Sequence, residues 1–197
     1  MIQVVIFDAD GLLFNQERFS TYLERIYNIP HEKMLPFFTG PFQDCITGKF
    51  GLQEAVTPFL TDWGWNDGVD AFLELWFSRE LNVDHRLFEY VQALRKQGIL
   101  CFVATNQEKI RFQYMLDKMN LTQSFDGVYA SAHLGYKKPD QQFFEKVLEN
   151  IPNIPKNEIL FWDDRPTNIE AGKIFGVNAE LYTTFENLRE KMKEYNL

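Results

Sequence analysis

The sequence predicts an α/β fold: a Rossmann-like, doubly wound parallel sheet with an inserted α-helical unit. Three observations predict it. The chain opens on a short unbroken apolar run, Val4-Val5-Ile6-Phe7, which suits a strand buried on both faces of a parallel sheet. From Asp84 onward, apolar runs of strand length alternate with stretches of helical spacing, the pattern of a sheet covered by helices. Between these two regions, residues from about 15 to 84 carry helical stripes and no strand signal.

The elements follow in order. After Phe14 the spacing is helical, with Phe19, Tyr22, Leu23 and Ile26 on one face. A looser stretch punctuated by Pro30, Pro36, Gly40 and Pro41 comes next. Leu52, Ala55, Val56, Phe59 and Leu60 form a second stripe, and Val69, Phe72, Leu73, Trp76 and Phe77 a third. Trp63-Gly64-Trp65-Asn66-Asp67-Gly68 is the turn between them. These aromatic stripes read as bundle core. Leu87, Val91 and Leu94 mark a helix that stops at Gly98. Strands are expected over 99–104, 127–130, 159–162 and 177–182. Phe112, Met115, Leu116 and Met119 mark the helix after the first of these. Pro139 and Pro166 each open a helix, a position proline suits. Thr183-x-x-Glu186 reads as the capping box of the last helix. The helical insert follows strand one directly, so it should cover the carboxyl-end rim of the sheet as a lid.

Composition removes several function classes. The chain has 197 residues, enough for one core with a small appended unit. Aromatics make up 16%, which argues against disorder. A formal net charge of -8 is wrong for a general nucleic-acid or anionic-membrane binder. It leaves open an anionic small substrate, because screening limits distant charge and local cations decide. Cys45 and Cys101 form neither a disulfide framework nor a zinc site. His31, His85 and His133 lack metal-ligand spacing and read as surface or loop residues. No apolar stretch approaches membrane-spanning length and no signal peptide is visible, so a soluble, cytoplasmic protein is expected.

The polar residues that matter fall at strand ends, where ligands bind in parallel sheets. Asp8 and Asp10 follow strand one, with Gly11 allowing a sharp turn and close ligand access. By itself this octet is equally compatible with a ligand site and with a capping acid plus a turn acid. Thr105 and Asn106 end the second strand. Thr105 has an ordinary role available as a helix N-cap with Glu108 as partner, and a functional one beside amides that face an anion. Lys137 and Lys138 precede a helix start, the end a helix dipole offers to anions, so a lysine there suggests charge neutralisation. Lys137 reads as solvated. Asp163 and Asp164 close the fourth strand, and adjacent acids suit a hard cation such as magnesium. Their joint placement on one rim predicts a magnesium-bound phosphate pocket with a carboxylate nucleophile.

The sequence resembles the haloacid dehalogenase superfamily, in its phosphatase-type branch. Ile6-Phe7-Asp8-Ala9-Asp10-Gly11 is similar to the first motif and Ala104-Thr105-Asn106 to the second. Gly135-Tyr136-Lys137-Lys138-Pro139-Asp140 is similar to the third, and Phe161-Trp162-Asp163-Asp164-Arg165-Pro166-Thr167-Asn168 to the fourth. The resemblance covers the chain in the right order. It implies a core of residues 1–14 and 85–197 with a helical cap domain over 15–84. It implies that Asp8 attacks phosphorus and forms an aspartyl phosphate, and that Asp10 serves as general acid and then base. Thr105 and neighbouring amides would hold the phosphoryl group, with Asn106 in the substrate-binding set. Lys138 would offset charge. Magnesium would be held by Asp8, the Asp10 backbone carbonyl and Asp164, with Asp163 acting through water. Many relatives carry glycine at the Asp163 position, which makes Asp164 the stronger direct ligand.

An acid catalyst needs a raised pKa, and burial with adjacent carboxylates is expected to raise that of Asp10. The implied substrate is a small phosphorylated metabolite, of the sugar phosphate or nucleotide class. A phosphomutase, a 2-haloacid dehalogenase and a non-catalytic phosphate-binding protein are the alternatives on this fold. True dehalogenases generally lack the second acid, so Asp10 favours a phosphatase. Residues 42–49 and the Trp63–Trp65 turn are candidates to face the site from the insert.

Overall fold

The computed structural model describes residues 1–14, 17–79 and 83–197. Strand β1 (Val4–Phe7) leads into five helices: α1 (Phe19–Tyr27), α2 (His31–Thr39), α3 (Pro41–Cys45), α4 (Leu52–Asp62) and α5 (Gly68–Ser78). The alternating part follows as α6 (His85–Lys96), β2 (Leu100–Thr105), α7 (Lys109–Lys118), α8 (Leu121–Ser124), β3 (Gly127–Ala130), α9 (Ser131–Leu134) and α10 (Gln141–Leu148). It closes with β4 (Ile159–Asp163), α11 (Pro166–Phe175), β5 (Asn178–Leu181) and α12 (Phe185–Glu194).

The five strands form one sheet in the order β3-β2-β1-β4-β5, and every pairing is parallel. All carboxyl ends therefore share one edge. The chain leaves β1 toward β2 on one side and returns to β4 on the other, so the order reverses between β1 and β4. Such a switch point opens a crevice at the strand ends. In register, Phe7 faces Val103 on one side and Trp162 on the other. Asp8 N–H continues that ladder by donating to Trp162 O at 2.8 Å. The register thus brings the residues that follow Phe7 and Trp162 side by side.

Alternation along β1 divides the core. Val5 and Phe7 pack with Leu87, Val91 and Leu94 of α6 and Leu188 and Met192 of α12. Val4 and Ile6 pack with Phe143, Phe144 and Val147 of α10 and Ile169 and Ala171 of α11. A strand covered on both faces has no need of polar residues, which is why its sequence is uniformly apolar. Helices α1–α5 have a separate aromatic core that includes Phe19, Phe37, Phe72, Trp63 and Trp76. Phe19 and Trp76 stack at 5.0 Å between centroids. The predicted stripes occupy it, except that Ile26 is 47% exposed. The expected boundary at residue 15 lies outside the described residues.

Several local expectations shift. The last helix is capped by Thr184, whose hydroxyl accepts from Asn187 N–H, and not by Thr183. The helix expected to open at Pro139 begins at Gln141. Short helices α8 and α9 carry too few residues for a periodic signal. All three histidines are exposed, as expected of surface residues, and each lies in a helix. Both cysteines are free and buried. Among the described residues, no helix is long and apolar enough to cross a membrane.

Candidate active site

The chain turns sharply after β1. Ala9 O accepts from Leu13 N–H at 2.8 Å and from Phe14 N–H at 3.1 Å, which closes a tight turn around Gly11. Gly11 has φ +78°, and a Cβ there would lie 2.4 Å from Asp164 Oδ2. Only glycine lets this backbone adopt that conformation and pack against the Asp164 carboxylate.

Lys138 sits at the centre. Its Nζ is 2.7 Å from Asp8 Oδ1 and 2.6 Å from Asp163 Oδ2. All three side chains are buried, so the ammonium and the carboxylates need one another. Burial works against the lysine's charge, but Asp8 and Asp163 outweigh it and hold its pKa above the ordinary value. Burial pushes the Asp8 carboxyl up to about 7, against the pull of Lys138 and with a further push from Asp163.

Asp163 is fully engaged. Besides Lys138, its Oδ1 accepts from Arg165 N–H at 2.9 Å and from Asn168 Nδ2 at 2.9 Å. Asp164 differs: its Oδ1 is buried with no hydrogen-bond partner. Burial, then the charge of Asp163, raises its pKa. Asp8, Asp163 and Asp164 each offer an oxygen within 4.8 Å of the others. A divalent cation fits here, because it would satisfy an orphaned carboxylate oxygen and offset the excess of acids. The distances admit all three residues, but the hydrogen bonds already on Asp163 leave Asp8 and Asp164 as the better direct donors.

Asp10 departs from its expectation. Arg111 grips it with two hydrogen bonds, Nη2 to Oδ1 at 2.7 Å and Nη1 to Oδ2 at 2.9 Å. Gln107 Nε2 also donates to Oδ2. Burial tends to raise the Asp10 pKa, but Arg111 and these hydrogen bonds outweigh it and hold the carboxyl below its ordinary value. Its side chain is still 48% exposed, toward the cavity that it lines. The raised pKa expected of an acid catalyst is therefore absent in this arrangement.

Thr105 ends β2, buried and lining the cavity. It does not cap the next helix. Glu108 does so itself, accepting from the N–H groups of Ile110 and Arg111. Asn106 is not aimed at a ligand: its carboxamide takes Lys138 N–H at 2.8 Å and donates to Lys138 O at 2.9 Å. It fixes the backbone that carries Lys138. Lys137, expected in solvent, is half-buried and donates to Gln43 Oε1 of α3.

The cavity between the sheet rim and α1–α5 has a volume of about 730 Å³. Phe42, Gln43 and Ile46 line it, as the sequence suggested for that segment. Trp63 does not. Its indole donates to Lys33 O at 3.0 Å inside the insert, and Trp65 bonds Gly68 O at 2.8 Å.

Arg111 and Gln107 lie outside the motif segments, and Asn168 lies inside the fourth with no role expected of it. Arg111 carried a usable signal, since a cation in the first turn of a helix opposes the dipole. Gln107 carries none, because a single amide in a loop has many ordinary uses.

Comparison with known proteins agrees with this geometry. A family profile described as haloacid dehalogenase-like hydrolase matches residues 5–181. A sesquiterpene phosphatase of Aspergillus oryzae is 32% identical over 97 residues, covering 49% of this chain and 49% of that one. The chain thus spans about half the length of that fungal relative. A D-ribitol-5-phosphate phosphatase of Bacteroides thetaiotaomicron is 26% identical over 143 residues, covering 70% of this chain and 69% of that one. A haloacid dehalogenase family enzyme from the same bacterium, solved with magnesium and inorganic phosphate, superposes with a TM-score of 0.78. That match is 19% identical and covers 95% of this chain and 99% of the other, so it speaks for the fold. With the profile spanning nearly the whole chain and all four motif segments meeting on one rim, this protein belongs to the haloacid dehalogenase-like hydrolases.

Proposed function

We propose that the protein is a magnesium-dependent phosphohydrolase that acts on a small phosphate ester through an aspartyl phosphate on Asp8. The observation that carries this reading is the setting of Asp8: one oxygen is 2.7 Å from a buried ammonium, and the orphaned Asp164 oxygen stands within reach of the same centre. That arrangement lets an anionic nucleophile meet an anionic ester. The phosphatase names of the two curated relatives support the reaction class. The magnesium and phosphate bound by the Bacteroides fold neighbour support the choice of ligands.

An Asp8 oxygen attacks phosphorus as the ester P–O bond breaks. Asp10, protonated once bound substrate loosens the Arg111 grip, gives its proton to the departing alkoxide, then takes one from the water that attacks the acyl phosphate, releasing phosphate and free Asp8. Thr105 and adjacent backbone amides hold the phosphoryl oxygens, while Lys138 offsets charge shared between Asp8 and phosphate. Asp8, Asp164 and the Asp10 backbone carbonyl would hold the magnesium ion, which supplies positive charge against the phosphoryl oxygens. Asp163 and Asn106 act by positioning Lys138. Residues 15–84 serve as the cap that closes over this rim and excludes water. The buried free thiols of Cys45 and Cys101 fit a reducing, cytoplasmic setting.

The test uses p-nitrophenyl phosphate and a panel of phosphorylated metabolites with Mg²⁺. Turnover should stop reversibly on chelation, and rapid quenching should trap phosphate on the peptide that carries Asp8. Wild-type rates in Asp8→Asn would remove the assigned nucleophile.

A further inference from the structure

The sequence leaves the body of the substrate open between sugars and nucleotides, both rich in hydroxyl and amide groups. The cavity has a different character. Opposite the Asp8–Lys138 floor, its wall is built from Leu35, Phe38, Phe42, Ile46, Trp76 and Phe77. Three of these rings pack together at the wall: Phe38 and Phe42, both half-buried, lie 5.5 Å apart between centroids, and each lies within 5.8 Å of the buried Trp76. Leu35 is 46% exposed although the insert has an apolar core within reach. An apolar side chain left open at a cavity wall gains most when a ligand covers it.

Most of the described polar groups around the cavity are already engaged. Glu17 pairs with Arg25 at 2.6 Å. Gln43 accepts from Lys137 and donates to Phe38 O. Asn106 is bound to the Lys138 backbone at both ends of its carboxamide. Gln107 is on Asp10, and Glu108 caps α7. A polyhydroxylated body would lose its water and find few partners in return, a cost that favours other ligands. Arg18, Ser20, His31 and Arg165 remain, enough for one polar or anionic end but not for a ring of hydroxyls.

We infer that the ester's alcohol portion is predominantly apolar, a hydrocarbon-rich alkyl, alkenyl or aryl phosphate whose body lies on the Phe38–Phe42–Trp76 surface. This rests on the proposed phosphohydrolase reading of the same site. The volume of about 730 Å³ leaves room for such a body beyond the phosphate. Part of the binding free energy then comes from surface removed from water, with the phosphate serving as the single polar anchor.

The test is a chain-length series. With Mg²⁺ present, kcat/KM is measured on n-butyl, n-hexyl, n-octyl and n-decyl phosphate, beside glucose 6-phosphate and ribose 5-phosphate. It should rise about threefold to fourfold for each methylene until the wall is covered. The matching n-alkylphosphonates, which cannot be hydrolysed, are titrated by calorimetry, and their Kd should fall with the same slope. Leu35→Gln, a change at a half-open position, should flatten both slopes while the melting temperature holds. A flat series, or sugar phosphates turned over better than octyl phosphate, overturns the inference and leaves the phosphohydrolase reading standing. Chain-length-dependent phosphonate binding with no hydrolysis of any ester overturns the catalytic reading and leaves the apolar site standing.

Discussion

Arg111 and Asp10 form a two-pronged ion pair, with Nη2–Oδ1 at 2.7 Å and Nη1–Oδ2 at 2.9 Å, across the mouth of the candidate site. The pair holds Asp10 ionised, the right state for a base and the wrong one for an acid. In the proposed mechanism, substrate binding must loosen this grip before Asp10 can deliver a proton. Without the guanidinium, burial raises the Asp10 pKa against only the Gln107 hydrogen bond and the Lys138 charge, so the proton stays on to higher pH. Arg111→Met is therefore expected to move the descending limb of the pH–kcat/KM profile toward higher pH. Superimposable profiles for wild type and variant would remove Arg111 from the control of Asp10.

With Asp8 as a ligand, as proposed, metal binding is expected to depend on pH. Burial holds its folded pKa near 7, above the value in an unfolded chain, so the folded protein binds the extra proton. Metal-free stability then falls as pH rises between the two values, because the folded state loses a proton it favoured. Mg²⁺ needs the ionised carboxylate and competes with that proton. The melting-temperature gain on adding Mg²⁺ should be larger at pH 8 than at pH 5.5, by differential scanning calorimetry. In Asp8→Asn the difference between the two pH values should shrink. An equal gain at both pH values in the wild type would mean that Asp8 does not exchange proton for metal.

Gly48 seats the insert on the core. It has φ +74°, and a Cβ there would lie 2.0 Å from Ala132 O. Next to it, Ser131 Oγ donates to Ile46 O at 2.5 Å and Lys109 Nζ to Gly48 O at 3.3 Å. Gly48→Ala combines backbone strain with a clash against main chain, at a cost of about 1–3 kcal/mol if the contact is kept. Opening the contact is the cheaper response, and an open lid admits water. kcat/KM should fall at least tenfold, with far-ultraviolet circular dichroism unchanged. Full activity would show that this contact is not needed for the working state.

The sheet was legible because β1, β2 and β4 are buried on both faces, which leaves nothing but apolar residues between their polar exits. The same feature marked Asp8, Thr105, Asp163 and Asp164, since each ends such a run. Placement on one rim followed from parallel pairing alone. The engagement of each side chain did not. The motif places Asn106 in the substrate-binding set, but its carboxamide closes on the Lys138 backbone, a contact 32 residues distant in sequence. Asp10 was expected to hold its proton, and Arg111, 101 residues away, reverses that. Lys137 reads as solvated from sequence, yet it meets Gln43 across 94 residues. Local pattern shows which face a residue takes. It does not show which partner from another element arrives there.

The two adjacent acids should separate in their effects. Asp164 has a buried oxygen without a partner and packs against Gly11, so a metal ion is what its charge lacks. Asp163 has its oxygens taken by Lys138, Asn168 and Arg165 N–H, so its charge serves the lysine. Asp164→Asn should raise the Mg²⁺ concentration needed for half-maximal rate by at least a hundredfold, with kcat partly recovered at saturating metal. Asp163→Asn should leave that concentration within about tenfold and lower kcat instead, by about 10–100-fold, the usual range for residues that support a metal site from outside its ligands. Magnesium titrations of both variants on one substrate make the comparison direct. If Asp163→Asn shifts the metal requirement as far as Asp164→Asn, Asp163 is itself a ligand. Lys138 would then have Asp8 as its principal partner in the working enzyme.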